Sequence, residues 1–271
     1  MEEDLEKIIN CLEQNDSSMR HLLLKNYKIE EEQATRIGNA LQNNNVVNIL
    51  EIQSCHIEPF GLDIIFQSLK ENKSITKLKI CYKNTYYTGI HTLEKMLKEN
   101  HTIEQLHIEG YAFGDYHMRV LYETLNINKT IESLYFDRID VTDVSIPHIS
   151  KILTTNQKLK YFSIYNSELT YFDANSILVA AEGNQFICNF SLYNNAYMSW
   201  QNCKIAAIAM QICSRNEIIG NTIRDCVLTL LMLRWFKETV LSVLPKDVVK
   251  IIGKKLLNTR GDRCWKKLKR G

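Results

Sequence analysis

The sequence predicts an α/β solenoid, with a parallel inner sheet, an outer row of helices and a helical C-terminal extension. Three observations carry this: apolar positions that recur every 28 residues, a helical spacing later in each unit, and an asparagine that closes the unit. The first apolar column reads Met19, Val47, Ile75, Ile103, Ile131, Leu159 and Ile187. The next reads Leu22, Leu50, Leu78, Leu106, Leu134, Phe162 and Phe190, and the third Leu24, Ile52, Ile80, Ile108, Phe136, Ile164 and Leu192. The last two columns lie two residues apart, the mark of a strand that buries alternate side chains. Further on come Ile37, Ile65, Leu93, Leu121, Ile149, Ile177 and Ile205, then Leu41, Leu69, Leu97, Leu125, Leu153, Ala181 and Ala209. That second pair of columns is spaced i, i+4, on one helical face. Asn44, Asn72, Asn100, Asn128, Asn156 and Asn184 then close the units, where a left-handed residue is expected to end each helix.

A unit of this kind cannot bury its own apolar face, so neighbours must stack. L-x-x-L-x-L followed by a helix resembles the leucine-rich repeat, and the 28-residue period resembles its ribonuclease-inhibitor-like kind, over roughly Met19 to Asn216. The resemblance implies a leucine-rich-repeat horseshoe whose strands line a concave face. One departure stands out. Where the family places Asn or Cys, three residues after the sixth position, this chain has Tyr27, Cys55, Lys83, Tyr111, Ile139, Ser167 and Asn195. The backbone groups of that turn therefore need water or other partners.

Residues 1–18 are expected to form an N-terminal capping helix, with Leu5, Ile8, Ile9 and Leu12 on one face. Residues 19–217 hold seven leucine-rich repeats, and residues 218–271 a helical, basic extension. The opening MEEDLEKIIN lacks the features of a secretory signal, and the apolar run Cys226 to Leu233 is too short to span a bilayer. Eight cysteines form no C-x-x-C pair, which predicts free thiols in a reducing, cytoplasmic setting. Several Asn-x-Ser/Thr triplets coincide with unit-closing asparagines and read as structure rather than glycosylation. Abundant Asn, Ile and Lys fit an AT-rich genome such as a host-associated microbe's, with delivery into a host cytosol as the corresponding expectation. Net charge is +2, but Lys246 to Gly271 carry ten basic residues against Asp247 and Asp262, a local +8 that leaves −6 elsewhere. Such a tail could bind nucleic acid or an anionic membrane, fold back on the body, or stay solvated.

Catalytic motifs are missing. The seven histidines form no H-E-x-x-H, no Cys/His group has metal spacing, and neither G-x-S-x-G nor a phosphate-cradling glycine loop occurs. The expectation is a non-enzyme with no cofactor and no metal site, and a Cys81–His107 contact between adjacent strands would be chance adjacency. The concave face is more informative. Alternation points Lys77, Lys79 and Cys81, then Gln105, His107 and Glu109, then Ser133, Tyr135 and Asp137, then Tyr161, Ser163 and Tyr165 into it, with Tyr193 beyond. Tyrosine offers a large apolar body with a polar tip, so Tyr135, Tyr161, Tyr165 and Tyr193 predict a protein-binding patch, with His107 and Asp137 beside it. Lys77 and Lys79 are expected to tune encounter rate.

A second resemblance lies in VLPKDVVKIIGKKLL. Leu244, Pro245, Val248, Val249, Ile252 and Leu256 match the pattern that opens F-box motifs and resemble the F-box-like, PRANC-like ends of ankyrin-repeat proteins of large viruses and intracellular bacteria. That implies docking to a Skp-type adaptor of a cullin ubiquitin ligase, whereas the same stripe on one helix face also suits a terminal hydrophobic cap. Three functions follow: a non-catalytic module binding a protein partner on the concave face, an F-box-like substrate adaptor, or nucleic-acid or membrane attachment through the basic tail.

Overall fold

The computed structural model describes residues 2–57, 59–82, 89–184 and 186–192. In chain order these form α1 (Glu2–Glu13), β1 (His21–Lys25), β2 (Lys28–Ile29), α2 (Glu31–Asn43), β3 (Ile49–Gln53), β4 (His56–Ile57), α3 (Pro59–Ser68), β5 (Lys77–Cys81) and α4 (Ile90–Glu99). There follow β6 (Gln105–Glu109), α5 (Asp115–Ile127), β7 (Ser133–Asp137), a 3₁₀ turn (Asp143–Ser145), α6 (Ile146–Thr155), β8 (Tyr161–Tyr165), α7 (Tyr171–Glu182) and β9 (Asn189–Ser191).

The strands β1-β3-β5-β6-β7-β8-β9 make one seven-stranded parallel sheet. Every step pairs a residue with the one 28 positions on, as in Leu22 with Leu50 and Leu78 with Leu106. The sequence period is thus the sheet register. A further short sheet joins β2 to β4, also in parallel. Helices cover one face of the main sheet, each packed on the next from α1 to α7. Their apolar columns meet the inward strand columns in one continuous core, in which Leu50, Leu78, Leu106, Leu134 and Phe162 are fully buried. Only Met19 of the described column residues is not fully enclosed.

The closing asparagines do another job from the one expected. Asn44, Asn100, Asn128 and Asn156 all have extended backbone, with φ between −80° and −64°. Their side chains supply the reason. Asn128 Oδ1 accepts from the N–H groups of Thr130 (2.9 Å) and Ile131 (3.0 Å), while its Nδ2 donates to the carbonyls of Leu97 (2.6 Å) and Asn100 (3.3 Å) in the preceding unit. Asn72, Asn100 and Asn184 repeat the set of four bonds. A buried amide satisfied at both ends ties the helix-to-strand turns into a ladder, because unpaired main-chain groups there would be costly. At the first rung, Asn44 keeps its two acceptor bonds, but its buried Nδ2 has no partner.

Positive φ occurs at Asn15 after α1 and at Gly89 before α4, but otherwise falls just past the strands, at Asn26, Ser54, Gly110, Arg138 and Asn166, again in one 28-residue column. Three of these N–H groups donate across to the end of the next strand, Asn26 to Gln53 O (3.0 Å), Gly110 to Asp137 O (2.9 Å) and Arg138 to Tyr165 O (3.1 Å). These main-chain bonds stand in where the side-chain ladder of this turn is missing, and one rung of it survives, with Ile139 N–H donating to Ser167 Oγ. Gly110 is required: with φ at 121°, a Cβ there would sit 2.9 Å from Tyr82 O.

Candidate functional site

The sheet face turned away from the helices carries the outward residues of β5 to β8. Register sets Lys79, His107, Tyr135 and Ser163 in one row, and Cys81, Glu109, Asp137 and Tyr165 in the next. Tyr165 spans the rows. Its hydroxyl lies 3.1 Å from His107 Nε2, a hydrogen bond whose direction follows the imidazole tautomer. The His107 ring centroid is 6.1 Å from those of both Tyr135 and Tyr165, so three aromatic rings from three strands form one half-buried cluster. Burial and the nearby Lys79 charge push His107 down to about 4, leaving it neutral at neutral pH. Burial, with the charges of Asp137 and Glu109, pushes the Tyr165 hydroxyl up to about 12.

Beneath the cluster lies a charged group. Lys79 Nζ is 3.3 Å from Glu109, and Arg138 bridges Glu109 and Asp137, the latter at 3.1 Å. Asn166 Nδ2 also donates to Asp137 (2.8 Å). Asp137 is therefore not the open contact residue that strand alternation predicts: it is 6 % exposed, and Ser133 and Ser163 are also covered. Small side chains flanked by tyrosines and a bridging arginine lose their solvent even on an outward face. Lys79 is likewise paired and half-buried, whereas Lys77 lies on the same face one row away, beside Gln105. Cys81 pairs in register with Glu109, not with His107, and bonds its carboxylate.

His107, Glu109 and Asp137 bring one ligand atom each within 4.8 Å of one another, the group among the described residues with metal-binding geometry. Its charges are already balanced by Lys79 and Arg138. A dication would have to displace Arg138 and its two carboxylate bonds. Tyr161 is half-buried at the start of β8, opposite Ser133. Tyr193, and Leu244, Pro245, Val248, Val249, Ile252 and Leu256 of the adaptor-docking stripe, lie outside the described residues. Sequence reasoning missed Arg138, which was readable as a basic residue immediately after the strand's acidic Asp137. Among the described residues no disulfide joins Cys11, Cys55, Cys81 or Cys188, and no helix is long and apolar enough to cross a membrane.

No protein-family model matches the chain, and no curated protein matches it. Among solved structures it is similar to leiomodin-1 actin-binding site 2, at 15 % identity and a TM-score of 0.32, covering 86 % of this chain and 98 % of that one. It is also similar to the C-terminal domain of a Caenorhabditis elegans tropomodulin, at 12 % identity and a TM-score of 0.37, covering 87 % of this chain and 99 % of that one.

Proposed function

We propose that the chain is a non-catalytic protein-recognition module, a leucine-rich-repeat horseshoe that takes its partner on the open sheet face of β6 to β8. The observation that carries this is the Tyr135–His107–Tyr165 cluster: rings from adjacent strands, fixed by a hydrogen bond, still half open to solvent. Pre-fixed aromatics lose little entropy on binding and are where interface energy concentrates. The electrostatics of the His107–Tyr165 pair support the non-catalytic reading. His107 is neutral, but the hydroxyl beside it is held well above its ordinary range, which opposes a nucleophilic role. Residues 1–18 cap the array and 218–271 extend it in this reading, in a reducing cytoplasmic setting.

The test is capture on immobilised protein. Tyr161→Ala with Tyr165→Ala leaves the buried columns untouched, so circular dichroism should match the parent while retention of a specifically captured protein falls tenfold or more, about 1.4 kcal/mol. Undiminished capture by the double variant, with capture abolished by removal of residues 244–271, would move the function to the tail.

A further inference from the structure

Large apolar side chains left in water usually scatter. Here four of the nine among the described residues fall in one column, Phe60, Tyr116, Val144 and Phe172, at 71 %, 45 %, 62 % and 80 % exposure. The column runs along the edge where strands hand over to helices, and Tyr111 adds to it in the fourth unit at 61 %. The fourth and fifth units are tied side by side there. Asp115 accepts from Thr142 N–H (2.9 Å), Thr142 Oγ1 (2.7 Å) and Ser145 Oγ, so Tyr116 and Val144 stand on neighbouring turns. The same edge is acidic. Segments 111–119, 138–145 and 166–173 carry Asp115, Asp140, Asp143, Glu168 and Asp173 against Arg119, whose guanidinium lies 5.4 Å from the Tyr116 ring centroid, and Arg138, which is held by Glu109 and Asp137.

An apolar ridge flanked by carboxylates fits a basic amphipathic segment. The chain contains one: residues 244–257 place Leu244, Val248, Val249, Ile252 and Leu256 at helical spacing among Lys246, Lys250, Lys254 and Lys255, within the stretch of local charge +8. The lengths agree. Packed helices lie about 8–10 Å apart, so Tyr116, Val144 and Phe172 span roughly 16–20 Å. Fourteen residues of helix cover about 21 Å. We propose that this acidic, apolar edge is the docking site for the chain's own segment 244–257, a surface separate from the sheet face. Covalent connection favours this occupant over a free basic helix, because it holds the segment at an effective concentration that can reach the millimolar range.

The test uses the full chain and its many tail lysines. Tryptic cleavage after Lys254 and Lys255 is followed by mass spectrometry for the parent and for Val144→Ser with Phe172→Ser, two exposed positions whose change should leave the circular dichroism melt in place. The double variant should release the tail about tenfold faster, and about 0.5 M salt should speed release from the parent, since exposed charge pairs are screened. A fragment of residues 244–271 added in excess should also speed release from the parent by competing for the edge. Protection that fades on dilution would assign the edge to the tail of a second copy and overturn docking within one chain. Equal release from parent and variant, whether both fast or both slow, overturns the proposal: fast means an unheld tail, slow a tail held elsewhere.

Discussion

At the helix-to-strand turn the same side chain makes the same bonds in unit after unit, whereas at the strand-to-helix turn the residue changes each time and the main chain does the bonding. Asn72, Asn100, Asn128 and Asn184 each join two upstream carbonyls to two downstream N–H groups. Across the unit, Asn26, Ser54, Gly110, Arg138 and Asn166 share only a positive φ. Where a side chain closes the hydrogen bonds, its identity is fixed by geometry. Where carbonyls and N–H groups close them, side chains are released for other chemistry. Arg138, Tyr165 and the ridge of Tyr116, Val144 and Phe172 all stand at that released end.

The contrast is sharpest in an alanine comparison. Asn128→Ala removes four bonds and leaves buried groups unpaired, so urea unfolding should show a loss of about 3–5 kcal/mol. Asn44→Ala removes only two, because its Nδ2 is already without a partner, and should cost about half as much. Equal losses would show that reaching back to the preceding unit contributes nothing. Acid should produce the next largest effect. Folded His107 is held at about 4 against an ordinary 6.5, so between those values the unfolded chain binds the extra proton. Its contribution is complete above about 6.5 and lost as pH falls toward 4, a change on the order of 3 kcal/mol at most. His107→Gln should flatten that part of a stability-against-pH curve; an unchanged slope would place the acid response in other groups. The smallest effect is expected at Arg138→Gly. Relief of a left-handed backbone, worth about 1 kcal/mol, offsets part of the loss of ion pairs to the half-buried Glu109 and the buried Asp137. A melt more than about 2 kcal/mol less stable would show that this turn, too, depends on its side chain.

The repeat period was legible because burial acts on each position separately: Leu106 is apolar for the same reason as Leu78, and their pairing follows from the shared spacing. The asparagine column was legible as a column but not as a ladder. Tolerance of left-handed backbone and the capacity of an amide for four bonds are both properties of asparagine, and only folding brings Leu97 O and Asn100 O to Asn128. The open face was half legible. Alternation gives the side on which Asp137 lies, but its cover depends on the reach of Arg138 and Asn166. The hydrogen bond from Tyr165 across β7 to His107 joins residues 58 apart, and no local pattern announces it. The exposed ridge, by contrast, was there to be found, since Phe60, Tyr116, Val144 and Phe172 differ by multiples of 28.

Because the Nδ2 groups of Asn72, Asn100, Asn128 and Asn184 reach back only as far as the unit before, the ladder has a direction but no preferred number of rungs. Excision of residues 73–100 would bring Asn128 to the carbonyls of Leu69 and Asn72, in the setting that Asn100 now occupies. Duplication of such a block would be absorbed in the same way. Gain or loss of whole units during descent therefore passes through intermediates in which the amide bonds between units are remade, while an insertion of any other length breaks the register that makes them. Copy number becomes the easily varied dimension of this chain, and with it the length of the face it can present.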